Sequence, residues 1–576
     1  MMPVEQAFDS ALCDRALSEL ASAARSWTET ELTERAALLE RMLPRVLERA
    51  EAMVADAAAA KGYRADSPWA GEDWAGGPWA LVQNIRAMLR VVRRLAEGRP
   101  VLPPGTVAER DGRTWVEVFP ASGWDRLLLN GFSASVRMLP SCSVTQARVS
   151  AGRAYAGRDW RPGVALVLGA GNVAAITALD ILHKLYAEGQ VVVAKMNPVN
   201  AYLRPHFEHV FGEFVERGWL RFVDGGAAVG AYLVTHSDVA SIHVTGSERT
   251  HDALVYGTDA DAGGRRREDR PILEKPLTSE LGGISPCIVA PGPWSAADFR
   301  FQAEHIVTSK MNNSGHNCIA SQILVLPAEW EGSDRLLAEI RAVLRSLPER
   351  PDYYPGARER IDAVCAAHPD AERLAGAGAT TPQRLLVDAI QPDSADRLLT
   401  DEVFASVLGV VRLPGTGAPE FLANAVDFAN HVLPGTLGAT LLLHPRTERA
   451  HGPAVRATID ELRYGTVGVN CWSGVGFLLG YTPWGAHPGH TRQNIGSGIG
   501  FVHNAFALEG IEKTILRAPF APAPRGLFTG SASLSPRPPY FVTDRTAVTT
   551  MRKLVPFTAR PNLLALAAIF ASALRG

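Results

Sequence analysis

From residue 163 onward, short apolar runs closed by glycine alternate with longer stretches of helical spacing. The two periods together predict a parallel α/β architecture. VALVLGA (164–170) and VVVAK (191–195) read as buried strands, with VAAITALDILHKLYAEG (173–189) as the helix between them. AYLRPHFEHVFGEFVERG (201–218) predicts another amphipathic segment, LRFVDGG (220–226) a strand and VASIHVTGS (239–247) a fourth run. A second block runs from about 284 to 470. Its candidate strands are ISPCIVA (284–290), SQILVLP (321–327), RLLVDA (384–389), VLGVVRLP (407–414), GATLLLH (438–444) and GTVGVN (465–470), with helical patterns such as 334–347 and 419–430 between them. Strands and helices in this alternation form doubly wound sheets, and the turn after each strand is where a ligand binds.

The first hundred residues have a helical texture. Apolar positions at three-to-four spacing over 31–60 predict one or two amphipathic helices, with a kink at Pro44. PWAGEDWAGGPWA (68–80) reads as a loop whose tryptophans are packing anchors. DADAGGRRREDRP (259–271) reads as an exposed loop, with Arg265, Arg266 and Arg267 as a solvated charge run and phosphate contact as the lesser alternative. Residues 519–539 are rich in Pro, Ser and Gly and read as an extended arm. The run LLALAAIFASAL (563–574) is 12 residues long, short of the roughly 20 that span a bilayer, and should dock on the body or on a partner subunit. The expected division is 1–281 for N-terminal helices and a nucleotide-binding domain, 282–500 for a catalytic α/β domain, and 501–576 for a C-terminal extension.

Composition narrows the function. Lys and Arg number 58 against 60 Asp and Glu, a net charge of −2, which is not the balance of a general nucleic-acid binder. Six cysteines, at 13, 142, 287, 318, 365 and 471, include no CxxC pair, which suits free thiols in a reducing compartment. The opening MMPVEQAFDS has neither a basic nor an apolar leader region. These features favour a cytoplasmic protein with no membrane span and no nucleic-acid partner.

Candidate chemistry centres on Cys318. It lies in MNNSGHNCIASQILVLP, a small polar loop ahead of an apolar strand, where small neighbours let a substrate approach a nucleophile. A thiol with pKa near 8.5 is only about 3 % ionised at pH 7 and needs activation. His316, two positions away, is badly spaced for a direct base and reads as a loop histidine. Glu280, in PLTSELGGISPCIV, is either a general base or a turn carboxylate. Asn172, in VLGAGNVAAI, is either an oxyanion donor or a helix cap. Lys195 ends a strand, where a cation can hold a ribose or phosphate. His206 and His209 make a lone HxxH, which reads as a helix surface pair because two ligands do not make a metal site.

The ordered series AGNVAAI, VVVAKMNP, VTGS, SELGG, SGHNC and DEVFASVL resembles the aldehyde dehydrogenase superfamily, with landmarks spread over 172–404. The resemblance extends to about 30–515, through the helix ERAALLERMLPRVLERAE and the late pocket segment YGTVGVNCWSGVG (464–476). It implies an aldehyde dehydrogenase-like α/β fold, a Rossmann-type cofactor domain plus an α/β catalytic domain. It also implies an oxidoreductase using NAD or NADP and no metal. In that family pattern Cys318 attacks the aldehyde carbonyl, Asn172 and the Cys318 backbone N–H hold the oxyanion, and Glu280 activates water to release the thioester. Lys195 matches the lysine on the adenine ribose, Gly246 and Ser247 the segment near the nicotinamide and pyrophosphate, and Glu402 and Phe404 the pair on the nicotinamide ribose and ring.

Several departures qualify this. Pro198 stands where many NAD-preferring members carry an acidic residue, which makes NADP plausible. Glu248, Arg249, Thr250 and His251 replace the family's usual glycine one turn after VTGS. Residues 259–271 look like an insertion. The family's subunit-pairing C-terminal strand is not evident, which puts the homo-oligomer implied by the resemblance in question. The reading is oxidation of an apolar or aromatic aldehyde to the acid, since the segment 472–484 is aromatic and carries no Arg or Lys. The alternatives are a CoA-dependent acylating dehydrogenase or acyl-CoA reductase on the same fold, and a non-catalytic scaffold that should have lost one of the three catalytic groups.

Overall fold

A computed structural model describes residues 9–378, 383–531 and 533–576. The first eight residues, which carry most of the opening MMPVEQAFDS, lie outside it, as does Ala532 in the Pro-rich arm. The four strands expected between 164 and 247 form, and a fifth joins them. Parallel strands run in the spatial order Leu277–Leu281, Val239–Gly246, Val164–Leu168, Val191–Lys195 and Leu220–Val223, with the short antiparallel strand Gly498–Ile499 at one edge. In chain order this is the 3-2-1-4-5 arrangement, whose crevice for a nucleotide opens where the order reverses. Here that is between Val164–Leu168 and Val239–Gly246.

Eleven strands make the second sheet. Its centre is parallel, in the order Ile511–Arg517, Thr466–Val469, Gly438–Leu442, Ser285–Val289, Ser321–Pro327, Val407–Leu413 and Arg384–Ile390. These strands read as near-continuous Val, Leu and Ile because helices cover both faces; all seven residues of Ser321–Pro327 are buried. An antiparallel unit, Val107–Arg110, Arg113–Phe119 and Ser133–Met138, extends the sheet beyond Ile511–Arg517. Glu512, on that strand, pairs with Arg113 and Arg137 of the unit. The strand Ile511–Arg517 was not evident in the sequence, and it pairs on both sides with strands of its own chain.

Residues Leu32–Ala60 form one helix that continues through Pro44; packing of its buried face, including Leu39, Leu43 and Val46, offsets the lost hydrogen bond. One local expectation is corrected. The stretch 68–80 is helical rather than a loop. Ala70–Trp74 leads through a π-helical turn, Ala75–Trp79, into helix Ala80–Ala96. Glycine and proline disfavour that locally, and burial of Trp69, Trp74 and Trp79 overrides it. The tryptophans are packing anchors, as expected. Residues Ala262–Arg267 form a short helix. There Arg265 binds Asp259, and Arg266 binds Glu248 and Asp252.

The C-terminal extension lies against the body. Helices Ala547–Ala559 and Leu563–Ala573 pack on each other and, through the first, on Ala70–Trp74 and Ala80–Ala96. Trp79 Nε1 donates to Thr558 Oγ1 at 3.1 Å. No helix among the described residues is long and apolar enough to cross a membrane.

Candidate active site

Three residues left-handed in backbone, Asn313 (φ 55°), Ser314 (φ 57°) and Gly315 (φ 76°), bend the chain just before Cys318. Such clustering is costly and persists only where the surroundings hold it. At Gly315 an added Cβ would sit 2.4 Å from the Ala405 carbonyl oxygen, so only glycine fits. The bend is braced from the N-terminal helices. Asn313 N–H donates to Glu72 Oε2 at 2.8 Å, and the Asn313 side-chain oxygen accepts from Lys61 Nζ at 2.9 Å and the Tyr353 hydroxyl at 3.0 Å. Lys61 pairs with Asp73 at 2.5 Å and Arg350 with Glu72 at 2.6 Å, all four buried. Burial works against the Lys61 ammonium, but the Asp73 carboxylate holds it charged above its usual range.

Asn172 lies on the turn after strand Val164–Leu168, and its backbone carbonyl accepts from Asn313 Nδ2 at 2.9 Å. Its side-chain amide points at the same bend, with Nδ2 3.3 Å from the His316 carbonyl. Cys318 Sγ is 4.0 Å from Glu280 Oε1. Asn172, Glu280 and Cys318 therefore line one cavity with about 640 Å³ of empty space, walled also by Val173, Trp472, Phe477 and Trp484. The three residues singled out 172, 280 and 318 positions along the chain meet in space. An amide donor, a carboxyl and a thiol around one apolar cavity can carry acyl chemistry: attack, oxyanion stabilisation and proton transfer.

The electrostatics are those of a dry site. Burial, and then the charge on Asp180, push the Glu280 carboxyl up to about 8, against the opposing hydrogen bond from Trp484 Nε1. Burial, followed by Glu280 and Glu402, raises the Cys318 thiol well above its usual value. Asp180 is itself fully buried. It accepts from Thr245 Oγ1 at 3.0 Å, and His503 and His243 lie at 3.3 and 3.6 Å. Burial would raise its carboxyl, but the two histidines hold it low. His316 is no base for Cys318. It is buried, its Nδ1 bonds the Phe404 carbonyl at 2.8 Å, and burial lowers it to about 3.

The residues matched to cofactor binding lie at strand ends of the six-stranded sheet and in the segment before strand Val407–Leu413 of the larger one, and none of them lines the catalytic cavity. Lys195 ends strand Val191–Lys195, and burial lowers its ammonium despite Asp224. Gly246 and Ser247 are exposed at the end of the neighbouring strand, where Ser247 caps helix Glu248–Tyr256. Glu402 reaches in from the other domain-like half. A Cβ on Gly282 would lie 2.1 Å from Glu402 Oε1, so the Gly-Gly after Glu280 is what lets this carboxylate approach. Burial raises Glu402 to about 8 against the opposing charge of Lys310, and its Oε1 has no hydrogen-bond partner. Phe404 has φ 49°. An orphaned carboxylate oxygen, a half-buried cation and an exposed helix N-terminus fit a ligand with ribose hydroxyls and phosphates.

Other sequence features stay outside this cavity. His206 bonds Asp56 and His209 bonds Glu48, each at 2.7 Å across to helix Leu32–Ala60. Among the described residues no group of three or more His, Cys, Asp or Glu is placed to hold a metal ion. The six cysteines are all unpaired. His490 bonds Thr436 and His487 faces Glu512. Nothing local in the sequence marks Lys61, Glu72 and Asp73 as reaching the cavity, or Trp484 as bonding Glu280. Their separations in sequence, 204 residues for Trp484 and Glu280, leave no local signal.

Comparison with known proteins agrees with this geometry. The aldehyde dehydrogenase family model matches residues 145–356. Aminoacetaldehyde dehydrogenase of Pseudomonas aeruginosa is 29 % identical over 269 residues, 43 % of this chain and 47 % of the relative. Succinate-semialdehyde dehydrogenase [NADP(+)] 1 of Mycobacterium tuberculosis is 29 % identical over 212 residues, 34 % of this chain and 42 % of that protein. The matched region thus spans about half the length of these curated relatives. Among solved structures, a mutant of aldehyde dehydrogenase C of Pseudomonas syringae, complexed with NAD+ and octanal, superposes with a TM-score of 0.56 at 19 % identity. That match covers 89 % of this chain and 90 % of the other.

Proposed function

We propose that this chain, whose residues 145–356 match the aldehyde dehydrogenase family, oxidises an aldehyde to the carboxylic acid through a thioester on Cys318. The observation that carries this reading is the meeting of Cys318, Glu280 and Asn172 in one apolar cavity. Cys318, as the thiolate, adds to the aldehyde carbonyl. The new oxyanion is held by the Asn172 amide and the Cys318 N–H. Loss of hydride from the resulting thiohemiacetal leaves a thioester on Cys318. Glu280, 4.0 Å from the sulfur, then takes a proton from water, which attacks the thioester and frees the acid. NAD or NADP supplies the hydride acceptor when bound, held by Lys195, Gly246, Ser247, Glu402 and Phe404. Relatives named for NADP and neighbours complexed with NAD support both. Pro198, which begins the turn after Lys195, sets no carboxylate against a 2′-phosphate. No metal takes part in the reading.

The walls favour an apolar or aromatic aldehyde. Val173, Ile176, Trp472, Phe477 and Trp484 surround the thiol, and the one cation present, Lys61, is matched by Asp73. Six unpaired thiols suit a reducing, cytoplasmic setting. The test is aldehyde-dependent reduction of NAD or NADP by the full chain, with and without CoA. Reduction without CoA, yielding the free acid, is expected. Reduction only with CoA would replace this reading with the acylating one. Silence with every aldehyde, in protein that binds cofactor, would favour the scaffold.

The pH dependence follows from Glu280. Its carboxyl is raised to about 8, so below that pH the neutral form predominates and no base is available. Activity should therefore rise with pH through about 8, read from kcat across a pH series. A profile already flat at pH 6 would contradict the dry, Asp180-facing environment.

A further inference from the structure

We propose that the C-terminal extension builds a chamber for the unbranched aliphatic tail of an aldehyde whose carbonyl sits at Cys318. The inference deepens the aldehyde-oxidising reading and rests on it. A second cavity lies beside the catalytic one. Ala75, Leu478 and Tyr540 line both cavities. One layer of side chains therefore separates the space around the thiol from the space behind it. The far wall comes from the extension, where Met551, Leu554, Ile569 and Ala573 face inward from helices Ala547–Ala559 and Leu563–Ala573.

The chemistry of the wall selects the occupant. No charged side chain lines the second cavity. Two of its polar groups are already engaged by the chain: Trp79 Nε1 donates to Thr558 Oγ1, and Thr550 Oγ1 donates to Ser572 Oγ at 3.0 Å. Nothing in the wall would recognise a carboxylate, an ammonium or a phosphate. An apolar space directly behind the reacting thiol suits a hydrocarbon tail that passes between the shared side chains Ala75, Leu478 and Tyr540. The extension thus gains a role that its composition did not reveal. Its Pro-rich stretch carries Tyr540 to the partition, and its two helices roof the chamber.

The experiment is a chain-length series with the full chain, from propanal to dodecanal, in the wild type and in Ala573→Phe. The catalytic efficiency kcat/KM should rise by about fourfold per methylene over several carbons, the equivalent of about 0.8 kcal/mol per buried methylene. Ala573→Phe should lower the value for dodecanal by about tenfold or more while leaving propanal unchanged, because the added ring fills the chamber and not the catalytic cavity. Propanal also reports that the variant is folded. A flat length profile, or equal losses for both aldehydes, overturns the chamber and leaves aldehyde oxidation standing. If no aldehyde is oxidised, the functional reading fails, and binding decides the chamber alone. Tryptophan fluorescence, read through Trp79, should then saturate with methyl undecyl ketone but not with methyl ethyl ketone, and weaken in Ala573→Phe. Binding of the long ketone that is indifferent to that substitution overturns the inference.

Discussion

Replacing Cys318 with alanine is expected to abolish aldehyde-dependent cofactor reduction, with kcat falling by about four orders of magnitude or more. No other group is positioned to take over the attack. Of the remaining cysteines, Cys287 and Cys471 are buried at 1 % and 2 % exposure, and burial drives each thiol up to about 12. Cys13, Cys142 and Cys365 do not line the catalytic cavity. Cofactor affinity should survive, since Lys195, Ser247 and Glu402 do not depend on the thiol. The measurement is steady-state turnover beside a cofactor-binding titration on the same sample. A Cys318→Ala enzyme that keeps a tenth of wild-type kcat would remove the nucleophile from the account.

Replacing Glu280 with glutamine separates the two halves of the reaction. The amide oxygen can still accept the Trp484 N–H, so the wall stays closed and the side-chain volume is unchanged. What is lost is the base for water. Turnover should drop by about 10²- to 10⁴-fold, while the first rapid burst of reduced cofactor, one equivalent per site, persists. The sign also bears on the acylating alternative. In an enzyme that must preserve its thioester for CoA, removing a water-activating carboxylate leaves CoA-dependent turnover intact or faster. Loss of the burst itself, in folded protein that binds cofactor, would place Glu280 in the first half of the reaction.

The buried surroundings explain why both predictions are large. Glu280 and Cys318 lie in low dielectric, Glu280 facing the buried Asp180 anion and Cys318 facing Glu280 and Glu402, so each is held neutral at rest. Charge formed there is stabilised by few groups, and each counts for more than it would in water. The site also depends on distant packing. The bend at 313–315 is held by Lys61, Glu72 and Tyr353, which come from the N-terminal helices and from the segment after helix Gly332–Ser346.

Parts of this arrangement are legible in the sequence for clear reasons. Central strands such as Val164–Leu168 and Ser321–Pro327 are buried on both faces, so each appears as an uninterrupted apolar run. The strands of the antiparallel unit are not, because one face carries Arg and Glu. Arg113–Phe119 alternates buried and half-exposed positions, and Ile511–Arg517 includes Glu512 and Lys513, whose partners lie far away in sequence. Local composition misreads residues 70–79, since Gly76, Gly77 and Pro78 signal a turn while tryptophan burial enforces a helix. Within the site, Asn172, Glu280 and Cys318 are each ambiguous alone. Their order along the chain, rather than any one loop, points to a shared centre. Lys61, Asp73 and Tyr540 carry no such mark: their place at the cavity is a product of tertiary packing, and the chamber behind Tyr540 is visible only once the extension is folded against helix Ala80–Ala96.

The central claim, a thioester on Cys318, is tested most directly by mass spectrometry of Glu280→Gln protein quenched in acid after mixing with aldehyde and oxidised cofactor. The account predicts a mass gain equal to the acyl group, located on the peptide that contains Cys318 and removed by hydroxylamine. An unmodified Cys318 peptide in a sample that has produced its burst of reduced cofactor would contradict it.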